Sequence, residues 1–325
     1  MAITWTEQSR KSNGGTELLC RELEKRLDPK LMENFQIFPS RVKEDLDPTK
    51  IRILWLHDTE QDPEVAHLAD GGWKRFHRLV FVSNHQKSLY QAKFGIPASK
   101  CVVMLNAIVP LPKVTKTTSD KIKLIYTSTP QRGLNILYAV FNELCKKHDD
   151  LWLDVYSSFG LYSWNENDAP FQALFDQLND HTNISYHGSV PNQDLRKALL
   201  DAHIFAYPST WPETSCLCLM EAMSADLVCV HSDLGALYET AANWTLMYGF
   251  HEDLSKHAGV FMTAMEAAID TVRNGHVNSS QKAYVDVFYN WETRIQQWTA
   301  FLGSLLDEDR AIASTEPEFT YRIGG

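Results

Sequence analysis

Two carboxylates eight positions apart, Glu213 and Glu221, are the side chains here with the clearest chemical potential. They lie in YPSTWPETSCLCLMEAMSADLVCVHSDLGALYE, residues 207–239. The apolar run 203–207 ends at Pro208-Ser209, which predicts a strand entering a turn. Glu213 falls in the loop that follows. Thr214 and Ser215 are good helix N-caps, and 217–223 reads as an apolar helix carrying Glu221. Residues 227–230 read as the next strand, so the stretch is one turn of a parallel α/β winding. The free N–H groups and dipole of the first helical turn favour an anion such as a phosphate. A loop carboxylate beside such a site accepts hydrogen bonds from sugar hydroxyls. Glu221, inside an apolar helix, is costly unless something binds it. A vicinal diol such as a ribose satisfies both its oxygens; a Lys or Arg partner is the other solution, with Glu213 then facing water.

These residues need elements to position them. Residues 2–5 read as a first strand, followed by the loop 6–15 and an amphipathic helix from about 16 to 27. Gly14 and Gly15 stand just before that helix, where adjacent glycines let the backbone approach a ligand, or simply make a turn. Strands are predicted at 35–38, 51–56 and 79–83, and the fragment 101–110 ends the first domain. The second of these ends in His57, at the edge where open α/β sheets bind ligands; a packing histidine is the alternative. The Pro-, Lys- and Thr-rich segment 110–121 reads as a linker. Beyond it, strands at 122–127, 151–156, 184–187, 203–207 and 227–230 alternate with helices at 134–146, 171–178 and 193–201. That alternation argues for a parallel, doubly wound sheet. Arg132, before Gly133 at a helix start, offers a guanidinium fork for two phosphate oxygens. After Trp244 the signal turns helical, at about 252–274, 278–287 and 291–306. Trp291 and Trp298, seven apart, share one face of the last helix.

The region 207–239 resembles the Glu-x7-Glu motif of the family 4 retaining glycosyltransferases, which have the GT-B fold: two Rossmann-like domains with parallel sheets facing across a cleft. The resemblance spreads over roughly 10–300. It implies an N-terminal acceptor domain over 1–112, a nucleotide-sugar domain over 113–288, and a final helix and tail over 289–325 crossing back to the first domain. It implies transfer of a sugar from a nucleotide diphosphate sugar to an acceptor hydroxyl, without metal or other cofactor. By resemblance Glu213 approaches the donor sugar, Glu221 holds the ribose and His57 contacts the sugar across the cleft. Arg132 binds the diphosphate, assisted by Thr214, Ser215 and Cys216 at the helix start and by the hydroxyls of Ser128 and Thr129. Gly14 and Gly15 form a phosphate or acceptor loop. The chain departs from the family at Asp226 and Val228, where Gly and Pro are usual, and at Gly235-Ala236, where Gly-Gly is usual. A nucleotide-sugar epimerase and a non-catalytic nucleotide-sugar-binding protein on the same frame are the competing readings. No Gly-x-Gly-x-x-Gly follows either opening strand, which argues against a dehydrogenase.

Composition sets outer bounds. The 325 residues, 44% hydrophobic and 11% aromatic, suit a well-packed protein of one large or two ordinary domains. The net charge of −10 argues against a nucleic-acid partner. Residues 1–112 carry about 16 basic and about 14 acidic side chains and the remainder about 15 and about 27. The acidic part must therefore draw a diphosphate through a local cation and backbone donors. No run is long enough to span a bilayer, and the N-terminus lacks a signal-peptide core. The six scattered cysteines include no Cys-x-x-Cys. Buried thiols in a reducing compartment are the expectation, hence a cytoplasmic protein. The acceptor, whether glycan, lipid or protein, is not specified.

Overall fold

The computed structural model describes residues 2–4, 12–116, 121–275 and 279–314. Positions 5–11 of the expected first loop, 117–120 of the linker and 315–325 of the tail lie outside these.

Two parallel sheets carry the fold. The first pairs β1 (Phe35–Pro39), β2 (Ile51–Leu56), β3 (Arg78–Phe81) and β4 (Cys101–Val103) in that order. In β2 the run Ile53, Leu54, Trp55, Leu56 is buried throughout, as a parallel strand covered on both faces must be. The strand expected at 2–5 contracts to a single bridge, Ile3 to Ile37. Within the fragment 101–110 the strand is Cys101–Val103, and the chain pairs again where Ile108 bridges Asn290.

The second sheet holds β5 (Ile122–Thr127), β6 (Leu151–Tyr156), β7 (Ile184–Tyr186), β8 (Ile204–Tyr207), β9 (Val228–Ser232) and β10 (Leu246–Tyr248). Its spatial order is β10-β9-β8-β5-β6-β7. The chain winds outward from β5 to β7, returns to the middle at β8, and winds the other way to β10. This reversal opens a crevice at the carboxyl ends of β5 and β8, the position where doubly wound sheets bind ligands.

The longer helices are α1 (Gly15–Arg26), α2 (Asn84–Phe94), α3 (Leu134–Cys145), α4 (Gln172–Asp180), α5 (Asn192–Asp201), α6 (Leu217–Ser224), α7 (Leu254–Arg273), α8 (Ser279–Phe288) and α9 (Trp291–Ser314). In α3 the buried residues Leu134, Leu137, Phe141 and Leu144 follow helical spacing and join a core with Leu124, Leu153 and Phe205. α9 packs back on the first sheet: Trp291, Trp298 and Leu302 share a core with Ile53 and Trp55. The Trp298 and Trp55 rings meet edge to face at 5.2 Å, a favoured aromatic geometry. The polar segment after β6 holds two 3-10 turns, Phe159–Tyr162 and Asn165–Phe171. Asp226, where a Gly is usual, adopts the left-handed backbone itself, φ 61°, a conformation Asp tolerates better than most residues. The substitution therefore leaves the turn into β9 intact.

His231 on β9 is fully buried, its Nε2 2.7 Å from the Thr245 hydroxyl. Burial lowers its pKa to about 4. Between that value and the unfolded value near 6.5, the unfolded chain binds a proton that the folded chain does not. Stability therefore falls as pH falls through this window. The stability advantage of the wild-type chain over His231→Gln, read from urea midpoints, is expected to shrink by ~2 kcal/mol from pH 7 to pH 5. An unchanged advantage would mean His231 is protonated in the folded state.

Candidate active site

A cleft of about 260 Å³ lies at the winding reversal, closed on its far side by α1 and the end of β2. Its floor is an ion pair. The segment after β5 makes one 3-10 turn, Pro130–Arg132, and sets Arg132 Nη1 2.9 Å from Glu213 Oε1. The buried Tyr207 hydroxyl, at the end of β8, donates to the same oxygen at 2.6 Å. Glu213 is only 5% exposed, so it does not face water. A buried carboxylate of this kind persists only with such partners.

The backbone of Glu213 is fixed by Gly235. The two residues bridge, and Ala236 N donates to Glu213 O at 2.6 Å. Gly235 has φ +67°, and a Cβ there would lie 2.4 Å from Glu213 N. Only glycine allows this approach. The neighbouring Thr214 hydroxyl donates to His57 O across the cleft at 2.6 Å. This corrects the expected caps: the capping position of α6 belongs to Cys216, whose side chain makes no capping hydrogen bond. Thr214 lies too early in the chain to cap, because Glu213 is still in its strand-like pairing with Gly235. Ser215 and Cys216 line the cleft beside Thr214. The helix start thus presents backbone donors toward the cleft with no hydroxyl capping them.

Buried polar atoms without hydrogen-bond partners gather on this cleft. Among its lining residues they are His57 Nε2, Asn106 Oδ1, Thr127 Oγ1, Thr129 Oγ1, Arg132 Nε and Asp58 Oδ2, the last with the Arg41 guanidinium 3.6 Å away. Each such atom costs roughly 1–3 kcal/mol if left alone, so a cluster of them marks where ligand atoms belong. Thr129 is thus placed as expected, while Ser128 lines the cleft with its hydroxyl 3.4 Å from Tyr207 OH. Burial lowers the His57 pKa to about 3. The imidazole is neutral at physiological pH, suited to hydrogen bonding rather than to taking up a proton.

Glu221 also lines the cleft, and the cationic partner foreseen as its alternative is present. Arg196 on α5 donates to Glu221 Oε1 at 2.7 Å and, through its other terminal nitrogen, to Val109 O at 2.7 Å. Burial raises the Glu221 pKa against the pull of Arg196. The two glycines separate. Gly15 lines the cleft. Gly14 does not: a Cβ there would fall 2.3 Å from the Tyr162 ring, so its close approach is to the opposite lobe and not to a ligand.

Tyr207, Arg196, Asn106 and Thr127 escaped the sequence reading of the site. Thr127 and Tyr207 could have been found, since each ends a central strand of the doubly wound sheet. Arg196 could not, because its pairing depends on how α5 packs beside α6. Among the described residues no group of three or more His, Cys, Asp or Glu is arranged to hold a metal. The Asp-x-Asp triplets at 45–47 and 307–309 do not line the cleft.

Residues 112–260 match the family model described as glycosyl transferases group 1. A subunit of the human phosphatidylinositol N-acetylglucosaminyltransferase is 22% identical over 175 residues, 52% of this chain and 32% of that protein. The match thus spans about a third of the relative's length. A glycosyltransferase from Rickettsia africae superposes with a TM-score of 0.65 at 13% identity, covering 91% of this chain and 83% of that one. Anabaena HepE, solved in complex with UDP-glucose, superposes with a TM-score of 0.62 at 14% identity, covering 89% and 82%. Two parallel-sheet lobes and the cleft at the winding reversal agree with these likenesses: the fold is GT-B, and residues 112–260 are similar to the group 1 glycosyl transferases.

Proposed function

We propose that this chain moves a sugar from a nucleoside diphosphate sugar to an acceptor hydroxyl, with retention at the anomeric carbon and without a metal ion. The observation that carries the reading is the gathering of partnerless buried polar atoms around the Arg132–Glu213 pair. In the reaction the bond from the anomeric carbon to the diphosphate breaks, the acceptor oxygen takes its place, and the acceptor's proton leaves with the diphosphate. Positive charge spreads over the sugar ring and negative charge builds on the leaving diphosphate. Arg132, with its free Nε, and the α6 N-terminus stabilise that negative charge. The hydroxyls of Thr127 and Thr129 add neutral donors. Glu213 and Tyr207 hold the guanidinium so that little reorganisation is needed at the moment of transfer. Neutral His57 hydrogen-bonds the sugar.

Glu221 takes the ribose diol in this scheme, and the diol displaces Arg196 from it. Glu221→Ala is expected to weaken donor binding ~10–100-fold, since hydrogen bonds to a charged group contribute roughly 1.5–3 kcal/mol. Calorimetry with the tightest-binding nucleotide sugar checks this; undiminished affinity removes Glu221 from the site. Retention is read from the anomer first formed, by proton NMR of the turnover mixture. An inverted product overturns that part of the reading. Conversion of donor alone to an isomer replaces transfer with epimerisation.

A further inference from the structure

A second cavity, of about 540 Å³, adjoins the donor cleft and shares Thr16, Asp58, Arg132 and Tyr162 with it. Its aromatic wall comes from the donor lobe: Tyr162 and Trp164 follow β6, and Trp211 follows β8. The Tyr162 and Trp164 rings lie 5.0 Å apart. Trp164 is 37% and Trp211 42% exposed. Two tryptophans left this open beside a cavity contribute little as core. The opposite wall is polar and comes from the first lobe, with Glu17, Arg41 and Asp58. Between them lies Gln131, whose Oε1 is buried with no hydrogen-bond partner.

We infer that the acceptor is itself a saccharide, lying with a ring face on Trp164 and Trp211 and with hydroxyls turned toward Gln131, Glu17 and Asp58. This rests on the transfer reading above and extends it to the class of acceptor. A pyranose presents one flat face of C–H groups and a rim of hydroxyls. Flat aromatic surfaces suit the face, and carboxylates and an amide oxygen suit the rim. A lipid chain needs a continuous apolar groove, and here acidic and basic side chains interrupt the wall. An extended peptide is usually held by a strand edge, and the cavity meets the first sheet only at Pro39, the last residue of β1, with loops, 3-10 turns and the start of α1 forming the rest. The first lobe supplies most of the cavity's lining residues, and the donor lobe's loops supply the aromatic ones.

The test uses the full chain on an array of defined oligosaccharides, alongside a Ser/Thr peptide array and polyprenol vesicles, with UDP and GDP binding measured by calorimetry on the same preparations. The wild-type chain is expected to be retained by a subset of oligosaccharides. Trp164→Ala and Trp211→Ala are expected to weaken that retention about tenfold each, with Trp211→Tyr recovering most of it. Nucleotide binding without saccharide retention, retention equal in the tryptophan variants, or transfer to peptide or polyprenol alone overturns the inference. Saccharide retention with no nucleotide binding instead overturns the transfer reading and leaves this cavity a saccharide site.

Discussion

Arg132→Ala is expected to lower kcat for both sugar transfer and donor hydrolysis by about 10²–10³-fold, the usual effect of losing one preorganised charge-stabilising donor. Three features place the full weight on this residue. Its terminal nitrogen is pinned by Glu213 at 2.9 Å. Its Nε is buried and free to bond a ligand. It lines both the donor cleft and the adjoining cavity. The substitution also leaves Glu213 buried with only the Tyr207 hydroxyl, so a loss of ~1–3 kcal/mol of stability is expected. Arg132→Lys separates the two effects. It keeps a charge near Glu213 but lacks the fork that serves two oxygens at once. Stability then recovers in large part while kcat does not. A kcat within threefold of wild type in Arg132→Ala, on protein shown to be folded, would remove this residue from catalysis.

Gly235→Ala is expected to act from a distance with a comparable effect. A methyl at this position meets the Glu213 backbone N at 2.4 Å and O at 2.5 Å. Either the Glu213 loop or the turn after β9 must move. The positive φ adds about 1–2 kcal/mol of strain to the clash, so a total loss of ~3 kcal/mol is expected in urea unfolding. Moving Glu213 also releases Arg132, and kcat should fall on the order of 10²-fold through misplacement alone. Raising donor concentration restores little of this rate, because the loss is in charge stabilisation and not in binding. A stable, fully active Gly235→Ala protein would show that the contact holding Glu213 is dispensable.

Much of this arrangement is legible in the residues alone. The strands of the second sheet are short apolar runs ended by turn residues, and β5, β6 and α3 fall where periodicity puts them. Glu213, Glu221, Arg132 and His57, expected at one cleft, all line it. What spacing does not give is how the groups are partnered. Arg132 and Glu213 lie 81 positions apart, and nothing local says they form a pair. The same holds for Arg196 and Glu221, joined only because α5 and α6 lie side by side. Thr214 fails as a cap for the opposite reason: its local chemistry fits one, but the pairing of Glu213 with Gly235 takes precedence. Gly14 fails as a ligand loop because the close approach it permits is to the Tyr162 ring.

The most direct measurement is thermal unfolding of the full chain against a panel of nucleotide sugars, with calorimetric titration of the strongest hit into wild type and Arg132→Ala. A ligand bound only to the folded state stabilises it by about 2.7 kcal/mol at a hundred times its Kd, a shift of several degrees for lobes of this size. The account predicts such a shift for at least one nucleotide sugar, and affinity lowered tenfold or more in Arg132→Ala. No shift with any nucleotide sugar, or equal affinity in the two proteins, would contradict it.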